Sequence, residues 1–179
     1  MRLLLTTALL LNYTLAMAQE IPIHNQTAIA SIIDDYRAEC VAKLGSDSEG
    51  DLIVAAEPTY EMVIDDLGTT ATVLHTDFRC GDLGPEWCGT GGCNTYLVVD
   101  EKIFVWNVSF APRTIKLPTY TDPVTAILFP LYGGYCKTAS GESNYGTSPC
   151  YAIATWDDRR KTFSTISGNL EEYDPDGQW

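Results

Sequence analysis

The sequence predicts an α+β fold in which one N-terminal helix packs on a mainly antiparallel sheet and disulfides staple the domain. Only one segment has sustained helical periodicity, and it comes first. From Leu52 onward the chain is rich in β-branched and aromatic residues, broken by short turns. Six cysteines follow an export-type leader, which indicates a cross-linked domain. One helix ahead of a run of strands is typical of the α+β class.

Residues 1–18 have the features of a secretory signal peptide. Arg2 provides the positive charge, Leu3–Leu11 is an apolar run, and Ala16-Met17-Ala18 is an A-x-A cleavage site. The apolar run is too short to span a bilayer. We therefore expect a periplasmic or secreted protein without membrane insertion. Residues 19–168 are predicted to form a single domain, and residues 169–179 an acidic flexible tail.

The charge balance narrows the choice of partner. Lys and Arg number 11 against 24 Asp and Glu, giving a formal net charge of −13. Such a surface repels phosphate backbones, so nucleic acid is not an expected partner. It attracts basic proteins, although the same charge also serves simply to keep an exported protein in solution.

The predicted helix spans Asn25–Leu44. Asn25 or Thr27 provides an N-cap, and Gly45 provides a C-terminal stop. Cys40 lies on the apolar stripe, so we expect it to tether the helix to the sheet. The charged residues between Asp34 and Lys43 lie off the stripe and are expected to face water. The stripe consists of Ile29, Ile32, Ile33, Tyr36, Cys40, Val41 and Leu44.

The rest of the chain predicts strands and loops. Asp100-Glu101 and residues 157–161 are expected to be hairpin turns, whereas Ala111–Pro123 is expected to be a loop because it holds three prolines. The predicted strands are Leu52–Ala56, Thr59–Ile64, Thr69–Phe78, Thr95–Val99, Lys102–Phe110, Val124–Leu131, Tyr151–Trp156 and Thr162–Ile166. The expected core side chains are Tyr60, Met62, Val73, Leu97, Val99, Phe104, Trp106, Ile127, Phe129, Ile153 and Trp156.

The even number of cysteines in an exported chain indicates disulfides. Spacing alone does not select one of the many possible pairings of six cysteines. We predict Cys88–Cys93 and Cys136–Cys150, which close two loops, and Cys40–Cys80 from the remaining pair. A zinc site would need two sets of closely spaced ligands, usually with histidine. The chain lacks such sets and has only two histidines, so no metal and no cofactor is predicted.

The segment Cys88-Gly89-Thr90-Gly91-Gly92-Cys93, followed by the strand-like run Thr95–Val99, resembles small exported bacterial proteins of unknown function. These carry a C-G-[ST]-G-G-C segment before a strand and a later cysteine pair before an aromatic hairpin. The later parts are matched by Gly133-Gly134-Tyr135-Cys136, Pro149-Cys150, Ala154-Thr155-Trp156-Asp157 and Phe163. The resemblance implies a compartment and an architecture, and no activity. Asp65–Thr70 stands where an acidic calcium-type loop would lie, but lacks its alternating oxygen ligands.

Catalytic candidates are sparse, and no catalytic residue is assigned. His75 and Asp77 are two apart on a predicted strand and would share a face, so they suit either a base–carboxylate pair or an ordinary rim histidine. Asp65 and Asp66 lie on a turn, which favours Asp for backbone reasons. No serine lies in a G-x-S-x-G elbow, and cysteines in disulfides are not nucleophiles.

Aromatic residues near the cysteine loops are the better candidates for a binding surface. Trp87, Tyr132, Tyr135 and Tyr145 would be contact anchors on rigid loops, or else pins between loop and core. The sequence thus favours a non-enzymatic exported domain that binds a basic periplasmic or extracellular protein, such as a cell-wall lytic enzyme. The alternative is a small periplasmic hydrolase that uses carboxylates and His75.

Overall fold

The computed structural model describes residues 23–44, 51–55, 58–83, 87–89, 91–131, 150–167 and 171–172. Its one described α-helix is α1 (Ile23–Leu44), and Gly81–Leu83 forms a short 3-10 helix. The strands are β1 (Leu52–Ile53), β2 (Thr59–Val63), β3 (Thr70–His75), β4 (Arg79–Cys80), β5 (Cys88–Gly89), β6 (Gly92–Val99), β7 (Lys102–Val108), β8 (Arg113–Leu117), β9 (Val124–Leu131), β10 (Cys150–Asp157), β11 (Thr162–Ser167) and β12 (Glu171–Glu172).

The strands form two large antiparallel sheets, where the sequence predicted one. The first has the order β12-β7-β6-β3-β2, with β5 also paired to β6. The second has the order β11-β10-β9-β8, and β1 pairs with β4 separately. The presence of one described helix together with antiparallel sheets confirms the predicted α+β class. Alternating patterns predict strands but do not assign strands to sheets, which is why the second sheet was missed.

The main core lies between the two sheets. Side chains alternate along a strand, so Leu97 and Val99 of β6 point to one face of the first sheet. Phe104 packs edge-on against Trp156 and Phe163 of the second sheet, with ring centroids 5.9 and 4.9 Å apart. The buried members of this cluster are Met62, Ile64, Ala71, Val73, Leu97, Val99, Phe104, Trp106, Val108, Ile127, Phe129, Ala152, Ala154, Trp156 and Phe163.

A second cluster brings α1 side chains together with the opposite face of the first sheet. Ile29, Ile32 and Tyr36 of α1 share it with residues of β3 and β6 and with Phe78. The sheet residues are Leu74, Tyr96 and Val98. The predicted stripe position Val41 is instead 49% exposed, because it lies at the edge of the buried face.

Neither Asn25 nor Thr27 is the N-cap that the sequence predicted, because both lie inside α1. The helix begins earlier, at Ile23, and the Asn25 side chain is 2% exposed. Its amide nitrogen donates to Thr72 Oγ1 at 3.0 Å and to the Val98 carbonyl at 3.2 Å. Since a buried amide must be hydrogen-bonded, Asn25 is a polar link between α1 and the first sheet.

The hairpin between β6 and β7 was predicted correctly. Asp100 and Glu101 have φ angles of 48° and 71°, as a two-residue turn of type I′ requires. The prediction for Ala111–Pro123 was wrong, because Arg113–Leu117 forms β8. Pro112 and Pro118 only flank this strand, and β8 is an edge strand, the place where nearby proline is tolerated.

Two expected core residues lie outside the core. Tyr60 is 37% exposed, because it sits near the start of β2, where its hydroxyl donates to the Pro112 carbonyl at 2.7 Å. Ile153 is only partly buried. It alternates with the buried Ala152 and Ala154, and so faces away from the other sheet.

The predicted pairs Cys40–Cys80 and Cys88–Cys93 are both present, with Cα atoms 5.4 and 4.3 Å apart. The first ties α1 to β4. Cys150 is disulfide-bonded, and its predicted partner Cys136 lies outside the described residues. Within the predicted tail, Glu171–Glu172 pair with β7. The predicted signal peptide also lies outside the described residues.

We predict that the Cys40–Cys80 disulfide stabilises the fold more than the Cys88–Cys93 disulfide. The bridges are separated by 40 and 5 residues in sequence. In the loop-entropy account, removing them by double Cys→Ala substitution costs about 4 and about 2 kcal/mol, respectively. Urea unfolding of both double variants measures the difference. Equal losses would contradict the prediction.

A second stability prediction concerns Asp66, in the turn between β2 and β3. The Lys116 ammonium, then the hydroxyl and backbone N–H of Thr125, hydrogen-bond its carboxylate and lower the pKa of Asp66 from 3.8 to about 2. Because the folded pKa is the lower one, the stabilisation is present above about pH 4 and is lost as the pH falls through about 2.

Asp66→Asn should therefore lower the urea midpoint at pH 7 and have almost no effect near pH 2. The control is Asp51→Asn, which removes an exposed carboxylate with no ion pair among the described residues. A midpoint difference for Asp66→Asn that stays constant with pH would refute the assignment.

Candidate functional site

His75 and the Asp77 carboxylate do not form the hydrogen-bonded pair that catalysis would need. His75 is half-buried, and its Nδ1 lies 2.6 Å from Thr95 Oγ1. Burial lowers the pKa of His75, while the charge of Asp77 raises it less. Asp77 is exposed, and its backbone N–H donates to the His75 carbonyl. His75, at the end of β3, is thus held by Thr95 of the neighbouring strand β6.

The turn carboxylates Asp65 and Asp66 are occupied by structural contacts. Asp65 accepts hydrogen bonds from the backbone N–H groups of Leu67 and Thr69, at 3.0 and 2.8 Å, and from the Thr69 hydroxyl at 2.6 Å. This is an Asx-type turn. Asp66 instead reaches Lys116 and Thr125 in the second sheet. Neither carboxylate is available as an acid or base.

Of the four aromatic residues proposed for partner binding, the structure describes Trp87. Tyr132, Tyr135 and Tyr145 lie outside the described residues. Trp87 is partly buried beside Cys88, at the start of the cystine hairpin formed by β5 and β6. Its ring meets Tyr36 of α1 edge to face, with centroids 5.1 Å apart. Trp87 therefore contacts the helix as well as facing solvent.

A pocket of about 240 Å³ lies between α1 and this part of the first sheet. Ile32, Asp35, Tyr36 and Glu39 line it from the helix. Trp87, Asn94 and Tyr96 line it from the cystine hairpin and β6. Side-chain alternation places Asn94 and Tyr96 on the opposite face of the sheet from Thr95 and Leu97, so the pocket and the His75–Thr95 contact lie on opposite faces.

Tyr36, Trp87 and Tyr96 form an aromatic wall of the pocket, and Tyr36 is its central ring. It makes edge-to-face contacts with Trp87, Phe78 and Tyr96, at centroid distances of 5.1, 5.3 and 6.3 Å. Such pairs stabilise by about 0.5–1.5 kcal/mol each beyond their buried area. The Tyr36 ring is therefore packed against three other rings, which favours the orientation seen in the pocket.

A chain of hydrogen bonds underlies the pocket. Asn107 Nδ2 donates to Asn94 Oδ1 at 3.4 Å, and Asn94 Nδ2 donates to Tyr36 Oη at 3.1 Å. Tyr36 Oη lies 3.1 Å from Tyr96 Oη. These bonds hold both tyrosine hydroxyls and the Asn94 amide in place. Asn107 Oδ1 is buried and has no partner in the described part of the chain.

The two pocket carboxylates differ in their surroundings. Burial raises the pKa of Glu39, but the hydrogen bond and charge of Lys43 lower it by more, so that it lies below its ordinary value. The Trp87 indole N–H does not complete a hydrogen bond with any described side chain. Asp35 has no ion pair or hydrogen bond among the described residues. Among the described residues, Lys43 thus balances the charge of Glu39, whereas no cation balances the charge of Asp35.

Sequence reasoning found only Trp87 of these pocket residues. It placed Asp35 and Glu39 among the solvent-facing charges of the helix, and both residues are indeed exposed, at the open side of the pocket. The available signal was their spacing, since residues four apart lie on the same side of a helix, and Tyr36 between them belongs to the apolar stripe. Two acids bordering an aromatic stripe position could have indicated a mixed site.

The chain matches no protein-family model, no curated protein and no solved structure. Among the described residues, no helix combines the length and apolar character that crossing a bilayer requires. Within the same residues, no three His, Cys, Asp or Glu side chains gather as a metal site. The chemistry of the pocket is therefore the main guide to function.

We predict that the cystine hairpin requires glycine at position 92. Gly92 has a φ of +108°, and a Cβ there would lie 2.3 Å from the Val108 carbonyl oxygen. Gly92→Ala should cost at least about 2 kcal/mol, from backbone strain together with the clash. Gly68→Ala is the matched control, because Gly68 has a φ of +86° but open space around its Cβ position.

The control should lose only about 1 kcal/mol, from the left-handed backbone alone. Urea unfolding measures both variants. A loss for Gly92→Ala no larger than that for Gly68→Ala would show that the close approach to Val108 is not present.

Proposed function

We propose that the protein is an exported, disulfide-stabilised domain that binds a basic protein partner through the pocket between α1 and β6, without catalysing a reaction. The observation that supports the proposal is that aromatic side chains and the Asp35 carboxylate, which has no ion pair among the described residues, line one pocket. Carboxylates beside aromatic faces attract a positive group through both the charge and the ring quadrupole.

The charge of the whole chain supports a basic partner. A net charge of −13 would steer a basic protein toward the surface and raise its association rate. Once the partner is close, a pocket could select one of its side chains. This combination of long-range attraction and one specific anchor is common at protein interfaces.

The size of the pocket also supports a protein side chain as its occupant. At about 240 Å³ it is smaller than the roughly 300–1,000 Å³ of typical sites for drug-sized molecules. A single long side chain would fit such a volume, with the rest of the partner lying on the surrounding surface. We infer contacts beyond the pocket, because one side chain would bury too little area for stable binding.

The scaffold suits an exported binding domain. We propose that α1 packs on the first sheet as a rigid support, which the Asn25 hydrogen bonds and the Cys40–Cys80 bridge favour. Disulfides persist in oxidising compartments, so they agree with the periplasmic or secreted location that the leader sequence predicts. The resemblance to small exported bacterial proteins points the same way.

The hydrolase alternative has less support. His75 does not line the pocket, and its ring is bonded to Thr95. Asp65 and Asp66 are engaged in turn and sheet contacts. A hydrolase would need a base next to a place where substrate could bind, and the described residues bring no such pair together.

The test uses a purified lysozyme, a basic cell-wall lytic enzyme, as the partner and calorimetry at low salt as the measurement. We predict that Asp35→Asn weakens binding about tenfold, because a charge pair at the interface is lost. Asp34→Asn is the matched control. It removes the same charge from the adjacent position, but Asp34 pairs with Arg37 at the surface and does not line the pocket.

The control should weaken binding by less than about twofold, as expected for a charge at the rim. Equal losses in the two variants would show that only overall charge matters. Absence of measurable binding to lysozyme, and to a second basic protein such as cytochrome c, would contradict the proposed function itself.

A further inference from the structure

We propose that the pocket recognises a primary alkylammonium group, presented by a lysine side chain of the partner, and that Lys43 occupies the ammonium position in the free protein as an internal competitor. The inference rests on the proposed function and makes its ligand specific. It assigns a role to Lys43, which adjoins the pocket but does not line it.

The position of Lys43 is the first argument. Its Nζ lies 3.0 Å from Glu39 Oε1 and 5.1 Å from the centre of the Trp87 ring. An ammonium held between a carboxylate and the face of an indole is the usual geometry of a bound cation. The protein thus contains, at the edge of its own pocket, an example of the ligand chemistry that the pocket suits.

The Asp35 carboxylate also favours an ammonium group as the ligand. Asp35 and Glu39 are one helical turn apart on α1, and both line the pocket. Lys43 neutralises Glu39, whereas Asp35 has no ion pair among the described residues. An ammonium has three donors and no acceptor, so an incoming lysine could donate to Asp35 and, after displacing Lys43, to Glu39, with its charge over the face of the Trp87 ring.

The hydrogen bonds of Asn94 favour a cation over a neutral, hydroxyl-rich ligand such as a sugar. A neutral ligand would have to be recognised by hydrogen bonds alone, from groups that are not already bonded within the protein. In this pocket, Asn94 Oδ1 accepts from Asn107, and Asn94 Nδ2 donates to Tyr36. The amide is therefore engaged within the protein, and the charged groups that line the pocket are two carboxylates beside aromatic rings, which favours a cation.

Competition by Lys43 would lower the apparent affinity for the partner. If only a fraction of molecules has the site open, the measured dissociation constant rises by the inverse of that fraction. Removing the Lys43 ammonium should then tighten binding of any lysine-type ligand. The opposite result is expected if Lys43 is a structural support for Trp87.

The experiment titrates Nα-acetyl-lysine amide into the mature chain, with binding followed by NMR shifts of the pocket residues. The variants are Lys43→Gln and Lys43→Met, which keep most of the side-chain stem without the charge. Arg37→Gln is the matched control, since Arg37 is an exposed cation on the same helix that pairs with Asp34, outside the pocket. Nα,Nε-diacetyl-lysine amide, which has no charge, is the ligand control.

We expect saturable binding of Nα-acetyl-lysine amide, at least about threefold tighter binding to both Lys43 variants, and less than about twofold change for Arg37→Gln. The diacetylated ligand should not bind. A third arm uses 1,4-diaminobutane in place of the lysine amide. Tighter binding of the diamine than of the lysine amide would show that a free amine, and not a lysine side chain, is the ligand.

Weaker binding to the Lys43 variants, or an equal gain in Arg37→Gln, would overturn the competitor role. No saturable binding of either amine would overturn the choice of ligand. If the folded chain still bound lysozyme in a manner sensitive to Asp35→Asn, the proposed function would survive that failure. Loss of both kinds of binding would remove the two proposals together.

Discussion

Strand β6 is buried on both of its faces, and this constraint organises the molecule. Its residues from Thr95 to Val99 are all buried. Leu97 and Val99 contribute to the core between the sheets, while Tyr96 and Val98 join the cluster that contains α1 side chains. A strand in this position needs a layer on each side to remove its apolar side chains from water. The second sheet provides one layer, and α1 contributes side chains to the other.

The pocket arises where this arrangement ends. Toward its N-terminus β6 passes from Val98 to Tyr96 and then to the polar Asn94, so the apolar contact with α1 gives way to hydrogen bonds. The cystine hairpin places Trp87 beside Tyr36 at this point. The contacts of Tyr36 with Trp87, Tyr96 and Asn94 thus join α1 side chains to the aromatic wall. Stability and the proposed recognition therefore depend on a shared set of residues.

Much of the fold could be predicted because it follows from local patterns. Helical periodicity predicted α1. Alternation and the Asp100-Glu101 turn predicted the β6–β7 hairpin. The closing of a short glycine loop predicted the Cys88–Cys93 disulfide. Other features depend on contacts between distant residues. The buried role of Asn25 was missed because asparagine suits an N-cap equally well. The pocket was missed because Asp35 and Glu39 are exposed helix charges in sequence and in structure, and no local pattern in the sequence places Trp87 beside them.

We propose that α1 is a permanent wall of the pocket, held by β6 and the Cys40–Cys80 bridge. Hydrogen–deuterium exchange of oxidised protein comprising residues 19–179 tests this proposal. We predict that amides of α1 between Ile29 and Cys40 exchange slowly, with protection approaching that of Thr95–Val99 in β6. Exchange of the α1 amides at rates typical of an isolated helix, while β6 stays protected, would contradict it.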